Sequence, residues 1–134
     1  MNSARGTFDV AFQERPAELG GAVGRLEFTK RFHGDITGTG AGLMLSCGDP
    51  GVGEAGYVAM ETVHGHLGVR QGSFALLQFG LMHDGSQTLH YEVVPGSGQG
   101  GLEGIGGTFH LKVEADGTHS YELEYELGSL TDTP

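Results

Sequence analysis

The stretch VVPGSGQGGLEGIGGTFHL, Val93 to Leu111, decides how the chain is read. Gly96, Gly98 and Gly101 stand in the spacing of a dinucleotide fingerprint. That fingerprint works because its glycines join a strand to a helix whose N-terminal amides face a pyrophosphate, with a ribose-binding acid about twenty residues later. Here the glycines are followed by TFHLKVEA, in which Phe109, Leu111 and Val113 alternate with Thr108, His110 and Lys112. A period of two is a strand, and no helix follows. With 26 glycines among 134 residues, where the usual share is about 7%, a three-glycine match is expected by chance. The run therefore reads as a bent link between two strands.

Working outward, the same period recurs along the chain. Phe8, Val10 and Phe12 share a face in residues 6–13, and in 22–33 Leu26, Phe28 and Phe32 oppose Arg25, Glu27, Thr29, Arg31 and His33. Further strands are expected at 36–47, 56–68, 73–83, 87–94, 105–115 and 118–127, eight in all. HGD, HDGS and ADGT between them are tight-turn chemistry, in which Gly and Asp supply the backbone angles. Only QERPAELGG, with room for a helical turn, and SCGDPGVGEA are longer loops. Consecutive strands with hairpin-length links predict an all-β fold, an antiparallel up-and-down barrel closed to remove exposed edges. Gly6-Thr7-Phe8, Gly72-Ser73-Phe74 and Gly107-Thr108-Phe109 repeat one pattern, read either as a strand-opening device or as coincidence in a Gly-rich chain.

Composition narrows the function classes. The length predicts one domain over 1–134. The net charge of −10, from 17 acidic and 7 basic residues, leaves no basic cluster for nucleic acid and disfavours anionic membrane surfaces. Lone Cys47 excludes an internal disulfide, and the opening MNSARGTFDVAF lacks the apolar run of a secretory signal, so a soluble cytoplasmic protein is expected. His64 and His66 share a strand face without a third ligand, so neither a metal nor a cofactor is expected. No G-x-S-x-G hydrolase elbow occurs.

The strings TKRFHGDITGTGAG (29–42), AGYVAMETVHGHLGVRQGSFALLQ (55–78), VVPGSGQGGLEGIGG (93–107) and GTHSYELEYEL (117–127) resemble the bacterial domain of unknown function 3224. The likeness spans nearly the whole chain. It implies an eight-stranded antiparallel barrel like that of allene oxide cyclase, and no established activity. It also implies a His after Gln78, where this chain has Phe79.

Alternation then nominates the residues of the lumen. His119, Tyr121 and Tyr125 share a face with Leu123 and Leu127, opposite Glu122, Glu124 and Glu126, which must meet solvent. Tyr91 points inward with Leu89 and Val93, and Tyr57 and Glu61 share the more apolar face of their strand. The strand 73–83 is apolar on both faces, so Gln78 and Phe79 compete for the lumen, and the unused face predicts self-association as a dimer. Three readings follow. The first is a barrel binding a small, largely apolar molecule against Tyr57, Gln78, Phe79, Tyr91, His119, Tyr121 and Tyr125. The second is a cofactor-free cyclase or isomerase with Glu61 as acid or base, against which stands a Glu61 that faces outward or is satisfied by Arg70 or Tyr57. The third is a structural barrel with a packed lumen.

Overall fold

Apolar and polar residues alternate through nine strands in the computed structural model, which describes residues 1–16 and 22–128. In chain order these are β1 (Asn2–Arg15), β2 (Val23–Gly34), β3 (Ile36–Asp49), β4 (Glu54–Leu67), β5 (Arg70–His83), β6 (Ser86–Val93), β7 (Gln99–Gly100), β8 (Gly106–Val113) and β9 (His119–Glu126). Each strand expected from alternation is present, and β7 is an addition. All pairings are antiparallel, and the order β4-β3-β2-β1-β9-β8-β6-β5 closes through β4 against β5 into a barrel of eight strands. The single helical element among the described residues is a 3-10 turn at Pro50–Val52, inside SCGDPGVGEA. The helical turn considered for QERPAELGG falls largely on residues outside those described. No described helix is long and apolar enough to cross a membrane.

The turns follow from their residues. Asp84 and Gly85 join β5 to β6 with φ of 53° and 76°, the signature of a two-residue hairpin whose twist matches its strands. The glycine run after β6 bends rather than cradles. Ser97 Oγ accepts from Ala75 N at 2.9 Å, β7 pairs with Gly72 and Ser73 of β5, and Leu102 and Ile105 turn inward at 1% and 2% exposure. These two side chains join Phe32, Ile36, Val63, Leu67, Phe74 and Leu123 in a packed core that closes one end of the barrel. Each contributes about 1.5–3 kcal/mol of burial relative to exposure. In the repeated Gly-x-Phe pattern, Phe8, Phe74 and Phe109 are all buried, although Gly6 and Gly72 lie inside their strands rather than opening them.

Face assignments follow the alternation. Glu122, Glu124 and Glu126 lie on the outer side of β9, while Tyr121 and Leu123 are buried. In β5 the even residues turn inward, so Phe74, Leu76 and Gln78 are buried and Phe79 and Leu81 face out at 38% and 60% exposure. Cross-strand rows Leu45–Val58–Phe79 and Leu43–Met60–Leu77 extend this outer apolar surface over β3, β4 and β5.

One seam differs from the others. β6 and β8 share a single paired position, Glu92 with Thr108, and beyond it a groove of about 250 Å³ lies between the strands, bordered by Tyr91, Phe109 and Leu111. Unpaired strand edges lack the ladder that protects amides elsewhere. Backbone amides on the facing edges of Leu89–Tyr91 and Phe109–Leu111 are thus expected to exchange with deuterium far faster than those of the β3–β4 ladder, as followed by NMR. Equal protection would show that the two strands zip together in solution.

Candidate functional site

Lys30 stands in phase with Leu26, Phe28 and Phe32 on β2, so its stem passes into the lumen with its apolar neighbours. Its partner Glu61 is on β4, one strand beyond the adjacent β3. Two inward glycines of β3 make that reach feasible. Gly40 is paired with Lys30 and Gly42 with Glu61, and a methyl on Gly42 would sit 2.8 Å from Glu61 Cβ and collide with the Phe28 ring. Across this gap Lys30 Nζ lies 2.9 Å from Glu61 Oε1, with side-chain exposures of 5% and 1%. Lys30 Nζ also donates to Tyr91 Oη at 2.8 Å, and Tyr91 Oη donates to the same Glu61 oxygen at 2.5 Å. The three groups form a closed ring of charge-assisted hydrogen bonds, while Glu61 Oε2 is buried without a partner.

Burial dominates the electrostatics. It lowers the Lys30 pKa from 10.5 against the opposing pull of Glu61, because a desolvated ammonium is costly. Tyr91 is held well above 10.0, first by burial and then by the charge and hydrogen bond of Glu61. The aromatic faces of Phe8 and Phe28, with centroids 4.6 and 5.3 Å from Lys30 Nζ, compensate part of the desolvation.

Above this ring the barrel is hollow. A cavity of about 440 Å³ opens at the end opposite the packed core, with Phe8, Val10, Phe28, Met44 and Met82 among its walls and Lys30 on its border. Tyr57 and Gln78 face it, joined by a 2.8 Å hydrogen bond from Tyr57 Oη to Gln78 Oε1, and His119 borders it while packing 5.1 Å from the Phe8 ring. The structure thus brings Tyr57, Gln78 and His119 to one cavity, with Tyr91 and Glu61 behind Lys30.

The remaining nominated residues lie elsewhere. Tyr121 faces the core but belongs to its packed half, where its hydroxyl accepts from Ile36 N at 2.9 Å and donates to His33 O at 3.1 Å. Tyr125 lies at the closed end beside Gly107 and Leu127. Phe79 points outward and stacks on His90, because β5 turns its even face inward. Glu61 is inward, yet its partners are Lys30 and Tyr91 rather than Arg70 or Tyr57, and it does not border the cavity. Arg70 instead donates to Gly101 O at the closed end. Lys30 escaped the sequence reading, although its even position among Leu26, Phe28 and Phe32 was the available signal. As for metals, His64 and His66 are exposed on β4, and the described group with ligand spacing is Glu54, His83 and Asp84, all exposed.

The ring makes a pH prediction. Because the folded pKa of Tyr91 is raised, its contribution to stability is complete below the unfolded value and is lost as pH rises through the folded one. Lys30 runs the other way, its burial cost being relieved as pH rises through its lowered pKa towards 10.5. Comparing wild type with Tyr91→Phe, which both retain Lys30 and Glu61, reads the tyrosine hydroxyl together with its bond to Lys30. The difference in their urea midpoints is expected to hold steady up to about pH 9 and to shrink above about pH 10. A difference that grows with alkali would contradict a buried, protonated Tyr91.

The profile of the DUF3224 family, proteins of unknown function, matches residues 4–125. A solved structure of a DUF3224 protein of unknown function from Shewanella oneidensis MR-1 superposes with a TM-score of 0.88 at 42% identity, covering 96% of this chain and 98% of that one. No curated protein matches the chain. The profile over nearly the full barrel and the shared structure place this chain in the DUF3224 family.

Proposed function

We propose that the barrel binds a small, largely apolar molecule in its lumen. The observation that carries this reading is the 440 Å³ cavity, apolar in its walls and supplied with few polar groups. Those proportions fit small-molecule pockets, which run from about 300 to 1,000 Å³ and use a handful of polar contacts for orientation. Half the lumen is packed and half is open, so a structural barrel without a ligand leaves the open half unexplained. The cyclase or isomerase reading draws support from the Lys30–Glu61–Tyr91 ring, but since Glu61 does not border the cavity, any proton it moves would pass through Lys30 or Tyr91.

Binding of the uncharged apolar fluorophore N-phenyl-1-naphthylamine tests the lumen. Wild type is expected to bind it, and Ser46→Phe or Val10→Trp, which put bulk into the cavity, to weaken binding about tenfold or more, the loss of roughly 1.4 kcal/mol. Unchanged binding in both filled variants, with folding intact, would move the site out of the lumen.

We also propose that a second copy of the chain covers the outer face of β3, β4 and β5. Val58 and Met60 are about half exposed and Leu81 is 60% exposed, on a face whose rows Leu45–Val58–Phe79 and Leu43–Met60–Leu77 carry no charge, in a chain whose net charge of −10 opposes self-contact elsewhere. The loop SCGDPGVGEA, the rival cover, is a 3-10 turn leading straight into β4 and leaves this face bare. Light scattering after gel filtration is expected to give a dimer mass, and Val58→Glu with Phe79→Glu a monomer. A monomeric wild type would refute the pairing.

A further inference from the structure

The lumen reading leaves one reactive group unused, the amine of Lys30. Among the described residues it is the one basic Lys or Arg side chain bordering the cavity. The other lysine, Lys112, is 76% exposed on the outside of β8, so the chain carries one buried and one solvated primary amine on its side chains.

We propose that Lys30 captures an apolar aldehyde or ketone in the lumen as a covalent imine, an inference that rests on the lumen reading and names the ligand class. Three features of the site point there. First, Nζ is held in one place by two oxygens, Glu61 Oε1 at 2.9 Å and Tyr91 Oη at 2.8 Å, so the amine of this cavity-bordering residue has proton-exchanging groups in direct contact. Second, Glu61 already balances the charge of Lys30. An anionic ligand would meet a neutral pair and gain little for its lost hydration, whereas an uncharged carbonyl compound suits both the pair and the apolar walls. Third, the surrounding Phe8 and Phe28 rings limit water at Nζ, which favours the dehydration that completes an imine. Burial also lowers the Lys30 pKa, raising the fraction of free amine relative to an exposed lysine.

The steps balance within the ring. The Lys30 ammonium passes a proton to the Glu61 carboxylate, leaving a neutral amine and a carboxylic acid. The nitrogen lone pair attacks the carbonyl carbon, a C–N bond forms, and the C=O π pair moves to oxygen. One proton then travels from nitrogen to that oxygen, with Tyr91 as relay, to give the carbinolamine. The Glu61 acid returns its proton to the carbinolamine hydroxyl, the C–O bond breaks, water leaves, and the nitrogen lone pair closes the C=N bond. Charge is conserved: an ammonium and a carboxylate become an iminium and a carboxylate, with one water released and no oxidant or reductant consumed.

The test is reductive trapping. Wild-type protein is incubated near neutral pH with octanal and sodium cyanoborohydride, and the alkylated positions are located by peptide mass mapping. A saturated aldehyde is required because Cys47 also borders the cavity and its thiol would add to a conjugated one. Octylation of Lys30 is expected to exceed that of Lys112 by about tenfold or more, the reverse of the order that exposure alone dictates. Lys30→Arg, which keeps a cation for Glu61 but cannot form an imine, is expected to lose this adduct. If Lys112 and the N-terminus are alkylated while Lys30 is not, and octanal still displaces N-phenyl-1-naphthylamine, the imine is overturned and the lumen reading stands. If octanal causes no displacement and no Lys30 adduct forms, both fall.

Discussion

The ion pair of Lys30 with Glu61 governs the middle of this barrel. Both charges are almost wholly withdrawn from water, so each depends on the other, and removing either partner of such a pair costs about 3–5 kcal/mol. The demand spreads to neighbours. β3 must present glycine at position 42, and has little space for a side chain at 40, for the pair to meet across it, and Tyr91 must bring a hydroxyl from the far wall. The pair also sits at the border between two halves of the lumen. Below it Phe32, Phe74 and Leu123 fill the space, and above it the walls stand apart.

Much of this was legible in the residues because a strand with one wet face must alternate. The last strand shows it plainly, since three glutamates on one side force Tyr121 and Leu123 to the other. Strand β5 shows the limit. When both faces are apolar, alternation carries no sign, and the inward position of Gln78 is set by pairing with β4 and β6 rather than by its own sequence. Glu61 stood on the more apolar face of its strand with its direction left open, and its partner could not be named, because Lys30 is 31 residues away and the contact exists only once β3 lies between them. Leu102 and Ile105 were hidden for another reason. Leu102 lies outside any periodic segment and Ile105 at the first position of one, and a plug made by a loop leaves no repeating signal.

The glycines thus divide into kinds that composition cannot separate. Some sit in hairpins, as Gly85 does, where a positive φ is required. Others, such as Gly42, are defined by what their missing side chain admits. A chain of this length would gain stability from larger residues along its strands, so retaining small ones inside the lumen exchanges packing for room. The same exchange sets the outer surface apart, where Val58, Met60 and Leu81 offer apolar area that the barrel itself does not use.

The seam between β6 and β8 is where the circumference of the barrel is least tied. Every other neighbouring pair of barrel strands is tied along a ladder of several residues, so the wall behaves as a continuous sheet with one loose join. Leu111 belongs both to the groove at that join and to the main cavity, and Tyr91 lines the groove while holding Lys30. Widening the join would therefore enlarge the hollow half of the lumen and shift the residue that clasps its one amine, without disturbing the packed half or the remaining ladders. Any change in girth would fall on this single strand boundary, with the rest of the wall held by its ladders.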